Sequence, residues 1–420
     1  MSGRILIKNV LLDGTTQDIL VEDGTIAATG DSLRGPVDRV IDGRNKVALP
    51  SLINGHTHAA MTLFRGYADD IPLKRWLEEK IWVLEAKLTE EDVYWGTKLA
   101  CLEMIKNGIT VFNDMYWHFD GTARAVCDMG MRGIISAVLI DMFDPGQGER
   151  QIALNVELYE KAKRYLPHAV FALGPHAVYT VSTESLGWVR DFAEKNDLLI
   201  HMHIAETEGE AVFSREKYGL SPVEFLSDIG LLSERFVGCH GCWLDDSDCD
   251  ILMKHGAKLV HNPVSNLKLS VGKLFPYHLV SQKEIPFCLG TDGCSSNNHL
   301  DMIETMKYAS LLAKFSTGDP TFMPAEEAFD HATQTGAEIF RLGEWRVAAG
   351  SQADIILIDL DRPEFVPNFD MKSDIVYSAN GSAVDTVICM GRILMENRHV
   401  EGEEVICREA ARVARELVVR

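Results

Sequence analysis

Between residues 51 and about 345, short apolar runs alternate with amphipathic stretches of helical periodicity, the pattern of βα units feeding a parallel sheet. The runs are Thr110–Asn113, Gly133–Leu139, Val170–Gly174, Leu199–His203, Phe236–His240, Lys258–His261 and Phe287–Asp292. One more precedes them. Val47–Ile53 is short, apolar and proline-broken, and reads as a single buried strand rather than a helix. Eight strands at this spacing predict a (β/α)8 barrel, whose usual length is about 250 residues.

The two ends of the chain have a different texture. Ile5–Ile7, Asp18–Gly24 and Val37–Val47 read as short strands separated by turns, and Asp354–Ile358 and Val384–Met390 repeat the pattern near the C-terminus. Neither end carries a catalytic constellation. The expected organisation is a catalytic barrel at 51–345 inserted into a small β-sandwich domain, sheet on sheet, built from 1–50 and 346–420. Glu403–Val419 predicts a terminal amphipathic helix.

Composition narrows the function classes. With 46% hydrophobic residues, the 420-residue chain has ample material for a large core and more than one domain. Mean hydropathy is near zero and no run approaches the length of a membrane span. Met1–Ile7 enters a strand-like pattern without the apolar core and cleavage site of a signal peptide, so a soluble cytoplasmic protein is expected. A net charge of −21 argues against nucleic-acid partners, which require clustered Lys and Arg, and reads as a solubility device. Nine scattered cysteines, an odd number, suggest reduced thiols with packing roles. Cys239-His240-Gly241-Cys242 has no second Cys-x-x-Cys to complete a four-thiolate zinc site.

The densest chemical signal is Asn54-Gly55-His56-Thr57-His58. Period-two alternation puts both imidazoles on one strand face, delivering two nitrogen ligands to one point. Alone, the pair is equally well two unrelated loop histidines. The other strand ends then supply His176, His203, His240, His261 and Asp292. Chemistry in this fold sits at the C-terminal strand ends, so a convergent set of metal-competent residues there favours a metal site.

These residues sit in motifs that resemble the amidohydrolase superfamily, and within it the deaminases of 5′-deoxyadenosine, methylthioadenosine and S-adenosylhomocysteine. The motifs are Asn54–His58, Thr62–Gly66, Gly174–His176, His201–Thr207, Cys239–His240, His261–Leu269 and Gly290–Gly293, in family order through the whole barrel. The resemblance implies one divalent metal held by His56, His58, His203 and Asp292, with water completing the sphere. Zinc is the expected metal, with iron and manganese as alternatives. Binuclear relatives place a bridging lysine or glutamate on the fourth strand, where this chain has His176. His201 also faces inward, but the His-x-x-Glu register selects His203 with Glu206 and leaves His201 as barrel packing.

The resemblance also implies roles. The metal lowers the pKa of a bound water to about 7. Asp292 accepts that water's proton, His240 orients the water, and Glu206 is the general acid toward adenine N1. Glu206 and Asp292 thereby contact the substrate too. Glu85 would hold the ribose diol and His176 the ribose or purine; an exposed helix carboxylate and a packing histidine are the competing readings of those two. Relatives that favour S-adenosylhomocysteine carry an arginine on the third strand, where this chain has Ser136-Ala137-Val138; Arg150 matches a second arginine only poorly. A missing charge partner predicts preference for a small 5′ group, 5′-deoxyadenosine first. The reading is completed by ammonia and an inosine-type product, a small-molecule nucleoside substrate and a homo-oligomer, tetramer or dimer. Ser51 replaces the glycine usual in relatives, away from the chemistry. The rival readings are a guanine or cytosine deaminase, a triazine chlorohydrolase, and a non-catalytic barrel scaffold.

Overall fold

A computed structural model describes residues 3–420; Met1 and Ser2, part of the strand-like N-terminal pattern, lie outside the described residues. The N-terminal strands are β1 (Ile5–Leu12), β2 (Thr15–Glu22), β3 (Thr25–Gly30), β4 (Arg39–Asp42) and β5 (Lys46–Pro50). The barrel strands follow as β6 (Leu52–Thr57), β7 (Ile109–Tyr116), β8 (Arg132–Leu139), β9 (Ala169–Pro175), β10 (Ile200–Ile204), β11 (Phe236–His240), β12 (Lys258–His261) and β13 (Phe287–Leu289). The chain then adds β14 (Ile355–Asp359), β15 (Val384–Cys389) and β16 (Arg392–Met395).

β6 to β13 pair side by side in chain order, all parallel. The seam between β13 and β6 is closed just beyond the strands, where Asp292 N donates to His56 O at 2.9 Å. Alternation sorts the side chains into two cores. Ile53, Val111, Ile134, Val237, Val260 and Cys288 fill the barrel interior. Their neighbours Leu52, Ile135, Phe236, Leu259 and Leu289 face the helices. Phe340 and Trp345 join the interior cluster, and Trp345 Nε1 donates to Ser51 O at 2.7 Å, plugging the N-terminal mouth. The opposite mouth is left for chemistry.

The single strand predicted over Val47–Ile53 is two strands. β5 pairs antiparallel with β14, whereas β6 pairs with β7, and the chain crosses from one sheet to the other at Ser51. Both halves are buried, so one apolar run covers both. The two layers expected of the terminal strands arise from one continuous sheet, in the order β16-β15-β14-β5-β1-β2-β3 with β4 beside β1. It curls on itself: Ala353 N donates to Gly24 O and Ile26 N to Ser351 O, both at 2.9 Å. Ile7, Val21, Ile41, Leu357 and Ile388 share its core. β3 was not predicted; of its residues only Ile26 is buried, which leaves little alternation to read.

The terminal helix spans Glu403–Val419 as predicted, burying Ile406, Ala410, Val413 and Leu417 at helical spacing. The last three pack with Leu63 and Phe64 on the barrel side. Among the described residues, no helix is long and apolar enough to cross a membrane.

Candidate active site

Backbone irregularities aim the polar side chains into the C-terminal mouth. The pairing of β6 with β7 slips between Asn54 and Thr57, which stand opposite Phe112 and Asp114, so one extra residue is inserted. Such a bulge resets the alternation phase, and His56 and His58 turn inward after it. Gly55 lies at the bulge because a Cβ there would sit 2.5 Å from Cys288 Sγ and 2.9 Å from Leu289 O. On β10, ordinary alternation points His201 and His203 inward and Met202 toward the helices. Three non-glycine residues at strand ends adopt left-handed backbone: Ala205 (φ 48°), His240 (φ 75°) and Asp292 (φ 61°). Each costs on the order of 1–3 kcal/mol, and such strain clusters at functional sites. Without its turn, His240 would follow Phe236 and Gly238 outward.

Four side chains then form a cage. His56 Nε2 and His58 Nε2 each lie 3.4 Å from Asp292 Oδ1, and His203 Nε2 lies 3.3 Å from His58 Nε2. A tetrahedral site with bonds of 2.0–2.1 Å has edges of about 3.3 Å, so these three separations match those between ligands of one metal ion. His56 Nε2 is buried without a hydrogen-bond partner. The His58 Nδ1 sits 2.7 Å from Met115 O and the His203 Nδ1 3.0 Å from His176 O. Carbonyls only accept, so both rings carry the proton on Nδ1 and offer the Nε2 lone pair. Asp292 is held equally firmly: Ser265 Oγ (2.6 Å) and Ser296 Oγ (2.8 Å) donate to Oδ2, and Gly293 N (2.7 Å) to Oδ1.

Electrostatics suit a cation. Burial pulls the His56 pKa down to about 4 and that of His203 well below the ordinary value, so both rings are neutral and their lone pairs could serve a metal. Burial works against an ionised Asp292, but His56 and His58 outweigh it and hold the carboxyl well below its usual range. Three imidazoles and one carboxylate of this geometry fit a divalent metal. A second constellation, His56, His201 and Cys239, does not: His201 Nε2 is 2.9 Å from both His56 Nδ1 and Cys239 Sγ. The nitrogen pair is at hydrogen-bond length, and burial keeps the Cys239 thiol protonated.

The remaining predicted residues surround the cage. Glu206 Oε1 lies 3.8 Å from His240 Nδ1, which also faces Asn266 Oδ1 at 2.8 Å. Burial raises the Glu206 pKa despite the nearby His240. Burial lowers that of His240, but Glu206 and Asp292 reverse the effect and push it up. Glu206 follows the left-handed Ala205; Glu210 accepts from both main-chain nitrogens, Ala205 at 3.0 Å and Glu206 at 2.9 Å. Glu85 and His176 line the same cavity as His58, Glu206 and Asp292. Glu85 ends a short helix (Trp82–Glu85) whose carboxylate points inward, with Trp117 Nε1 3.5 Å away. A larger cleft of about 1100 Å³ beside the helix Glu90–Lys106 contains none of the converging imidazoles.

Four more residues named from the sequence find their places in the structure. His261 is outside the cavity: it shares the helix-facing side of β12 with Leu259 and stacks on Phe275 at 4.4 Å. Ala137 likewise faces the helices, and Val138 and Ile140 are the residues of the third barrel strand and its following loop that line the cavity. Arg150 is exposed and bonds Gln147, so no guanidinium reaches the site from that loop. His201 is more than packing, since it bonds the ring of His56. Ser265 and Asn266, which hold Asp292 and His240, lie in the His261–Leu269 motif, and Ser296 lies in none of the motifs.

The amidohydrolase family model matches residues 47–394. The 5′-deoxyadenosine deaminase of Methanospirillum hungatei JF-1 is 45% identical over 422 residues, covering 99% of this chain and 94% of the relative. The 5-methylthioadenosine/S-adenosylhomocysteine deaminase 1 of Archaeoglobus fulgidus is 44% identical over 383 residues, covering 90% of each. The crystal structure of an adenosine deaminase from Xanthomonas campestris with bound zinc superposes with a TM-score of 0.93, at 30% identity and 99% coverage of both chains. With a model matched from β5 to β16 and relatives this similar along nearly its whole length, the chain belongs to the amidohydrolase family.

Proposed function

We propose that the protein hydrolytically deaminates 5′-modified adenosines to the inosine analogue and ammonia, with 5′-deoxyadenosine favoured over methylthioadenosine, S-adenosylhomocysteine and adenosine. The observation that carries the reading is the pairing of Glu206 with His240 beside the cage, a carboxyl and an imidazole facing one cavity. Relatives named for deaminating these nucleosides support it. Zinc is the proposed metal, held by His56, His58, His203 and Asp292. When bound it makes hydroxide available from water near neutral pH.

The chain's own residues supply the rest. Asp292, kept ionised, takes the proton released by the attacking water. His240 has its Nδ1 turned to Asn266, and its upward shift toward the cationic form lets the other ring nitrogen steady negative charge. Glu206, whose pKa burial raises, delivers a proton to N1 of the purine as C6 is attacked. Asp292 then passes the water's proton to the exocyclic amine, the C6–N bond breaks to release ammonia, and the C6 hydroxyl proton restores Glu206 as the carbonyl forms. Glu85 binds the ribose diol and His176 contacts the nucleoside.

Beyond Glu85, Trp82, Trp117 and Ile140 a second cavity of about 730 Å³ opens, lined by Met142, Leu154 and Leu158. Among the described residues its lining includes Lys161 and no arginine. This lining favours apolar 5′ groups over a carboxylate tail. A guanine or cytosine deaminase would have no ribose for Glu85, and a scaffold would have no use for a complete cage. The same reading takes residues 1–50 with 346–420 as one composite domain around 51–345, and the nine unpaired cysteines as those of a cytoplasmic protein.

The test is a steady-state comparison of 5′-deoxyadenosine, methylthioadenosine, S-adenosylhomocysteine and adenosine, with guanine and cytosine as controls. A lead in kcat/KM for 5′-deoxyadenosine is expected. Faster turnover of a free base would overturn the substrate class, and a lead for S-adenosylhomocysteine would overturn the preference.

A further inference from the structure

Beneath the cage a ring of hydrogen bonds runs through four barrel strands. His56 Nδ1 lies 2.9 Å from His201 Nε2, and His201 Nδ1 lies 3.0 Å from Ser136 Oγ. Ser136 Oγ donates to Asn113 Oδ1 at 3.4 Å, and Asn113 Nδ2 donates to Gly55 O at 3.0 Å. The ring thus begins and ends on the Gly55-His56 segment. His56, His201, Ser136 and Asn113 are each 0–1% exposed, so no solvent is available to satisfy an unpaired atom.

The direction of every bond follows from one group that cannot donate. Gly55 O is a main-chain carbonyl, so the Asn113 amide must present its NH₂ there and its oxygen to Ser136. The hydroxyl of Ser136 therefore spends its proton on Asn113 and offers lone pairs to His201. His201 then carries its proton on Nδ1 and accepts at Nε2. Its only donor from the cage is His56 Nδ1–H, which leaves the His56 Nε2 lone pair free. Cys239 Sγ, also 2.9 Å from His201 Nε2, holds its own thiol proton and requires none on that nitrogen.

We infer that His201 is a positioning residue: together with Ser136 and Asn113 it locks His56 in the tautomer that presents Nε2 to the metal. His58 and His203 each obtain the same tautomer directly from a main-chain carbonyl. His56 has no carbonyl within reach of Nδ1 among its hydrogen bonds, and the buried ring does that work. The inference rests on the cage reading and is independent of the substrate.

The experiment measures zinc affinity of the full-length protein by competition with a chromophoric chelator, for wild type, His201→Leu and His201→Gln. One tight zinc per wild-type chain establishes the cage itself. His201→Leu keeps the bulk and removes the acceptor, and should weaken zinc at least ~10-fold. His201→Gln retains an acceptor near the Nε2 position and should recover most of the loss. Equal affinity of His201→Leu and wild type, or no recovery with glutamine, would overturn the assignment. If the leucine variant fails to fold, ¹⁵N-histidine spectra of metal-free wild type decide the matter: protons on Nδ1 of both His56 and His201 are expected, and a proton on His56 Nε2 refutes the lock.

Discussion

Asp292 meets His56 twice: its main-chain nitrogen donates to the His56 carbonyl at 2.9 Å, and its Oδ1 stands 3.4 Å from His56 Nε2. The bond that closes the barrel seam therefore also sets the span between two cage donors. Barrel closure and the spacing of the cage are one constraint in this protein, and a substitution that opens the seam changes both.

Gly290 tests that coupling. A Cβ there would lie 2.8 Å from His56 N and 2.5 Å from Asn262 Oδ1, and the backbone contact has nowhere to move. Gly290→Ala should cost about 1–3 kcal/mol in denaturant unfolding, as overpacking does, and lower the zinc bound per chain. A variant with wild-type stability and full zinc content would separate seam from cage.

The two serines on Asp292 make a graded prediction. Ser296 Oγ has an alternative acceptor, Gly293 O at 3.0 Å, whereas Ser265 Oγ has Asp292 as its hydrogen-bond partner. Removing such an outer partner of a ligand usually costs 10–100-fold in metal affinity or activity. Ser265→Ala should therefore show the larger loss in zinc affinity and in kcat/KM. The idea fails if Ser296→Ala is the more damaged, or if neither changes.

Much of this site is legible from period-two alternation. His203 points inward with His201 because β10 is regular. The same rule puts His261 on the helix-facing side beside Leu259, and Ala137 beside Leu139, so phase outranks proximity to a strand end. His56, His240 and Asp292 are the opposite case. Their inward aim depends on a bulge and on left-handed backbone at non-glycine residues, which no periodicity encodes. Motif resemblance found them because it carries the local backbone with it. The β5–β6 split was hidden because strands of two different sheets share one apolar run across Pro50 and Ser51.

Glu206 and Glu210 separate acid chemistry from acid placement. Glu206→Gln keeps the shape and loses the proton, so zinc content should be unchanged while kcat falls ~10²–10⁴-fold. Glu210→Ala leaves the Ala205 and Glu206 main-chain nitrogens without their acceptor, freeing the left-handed turn. Its kcat should fall less than that of Glu206→Gln, again at full zinc loading. Turnover retained by Glu206→Gln would reject the acid role.

His261 gives a pH signature away from the chemistry. Burial holds its ring neutral, aided by His240 and His331, and draws the pKa from 6.5 to about 3. The unfolded chain binds a proton at this position near pH 6.5, and the folded chain does not until about pH 3. The stabilisation is therefore complete above pH 6.5 and is lost as pH falls toward 3. One proton corresponds to a slope of up to about 1.4 kcal/mol per pH unit. His261→Asn gives up the stacking on Phe275 and should be less stable at pH 7.5. Below pH 6.5 its unfolding free energy should fall less steeply than that of wild type, so the gap between the two narrows with acid. Urea titrations of the chelator-treated proteins from pH 7.5 to 5 measure this. His56 and His176 are common to both chains and cancel in the difference. Parallel curves across that window would show that the His261 ring is not held neutral by its burial.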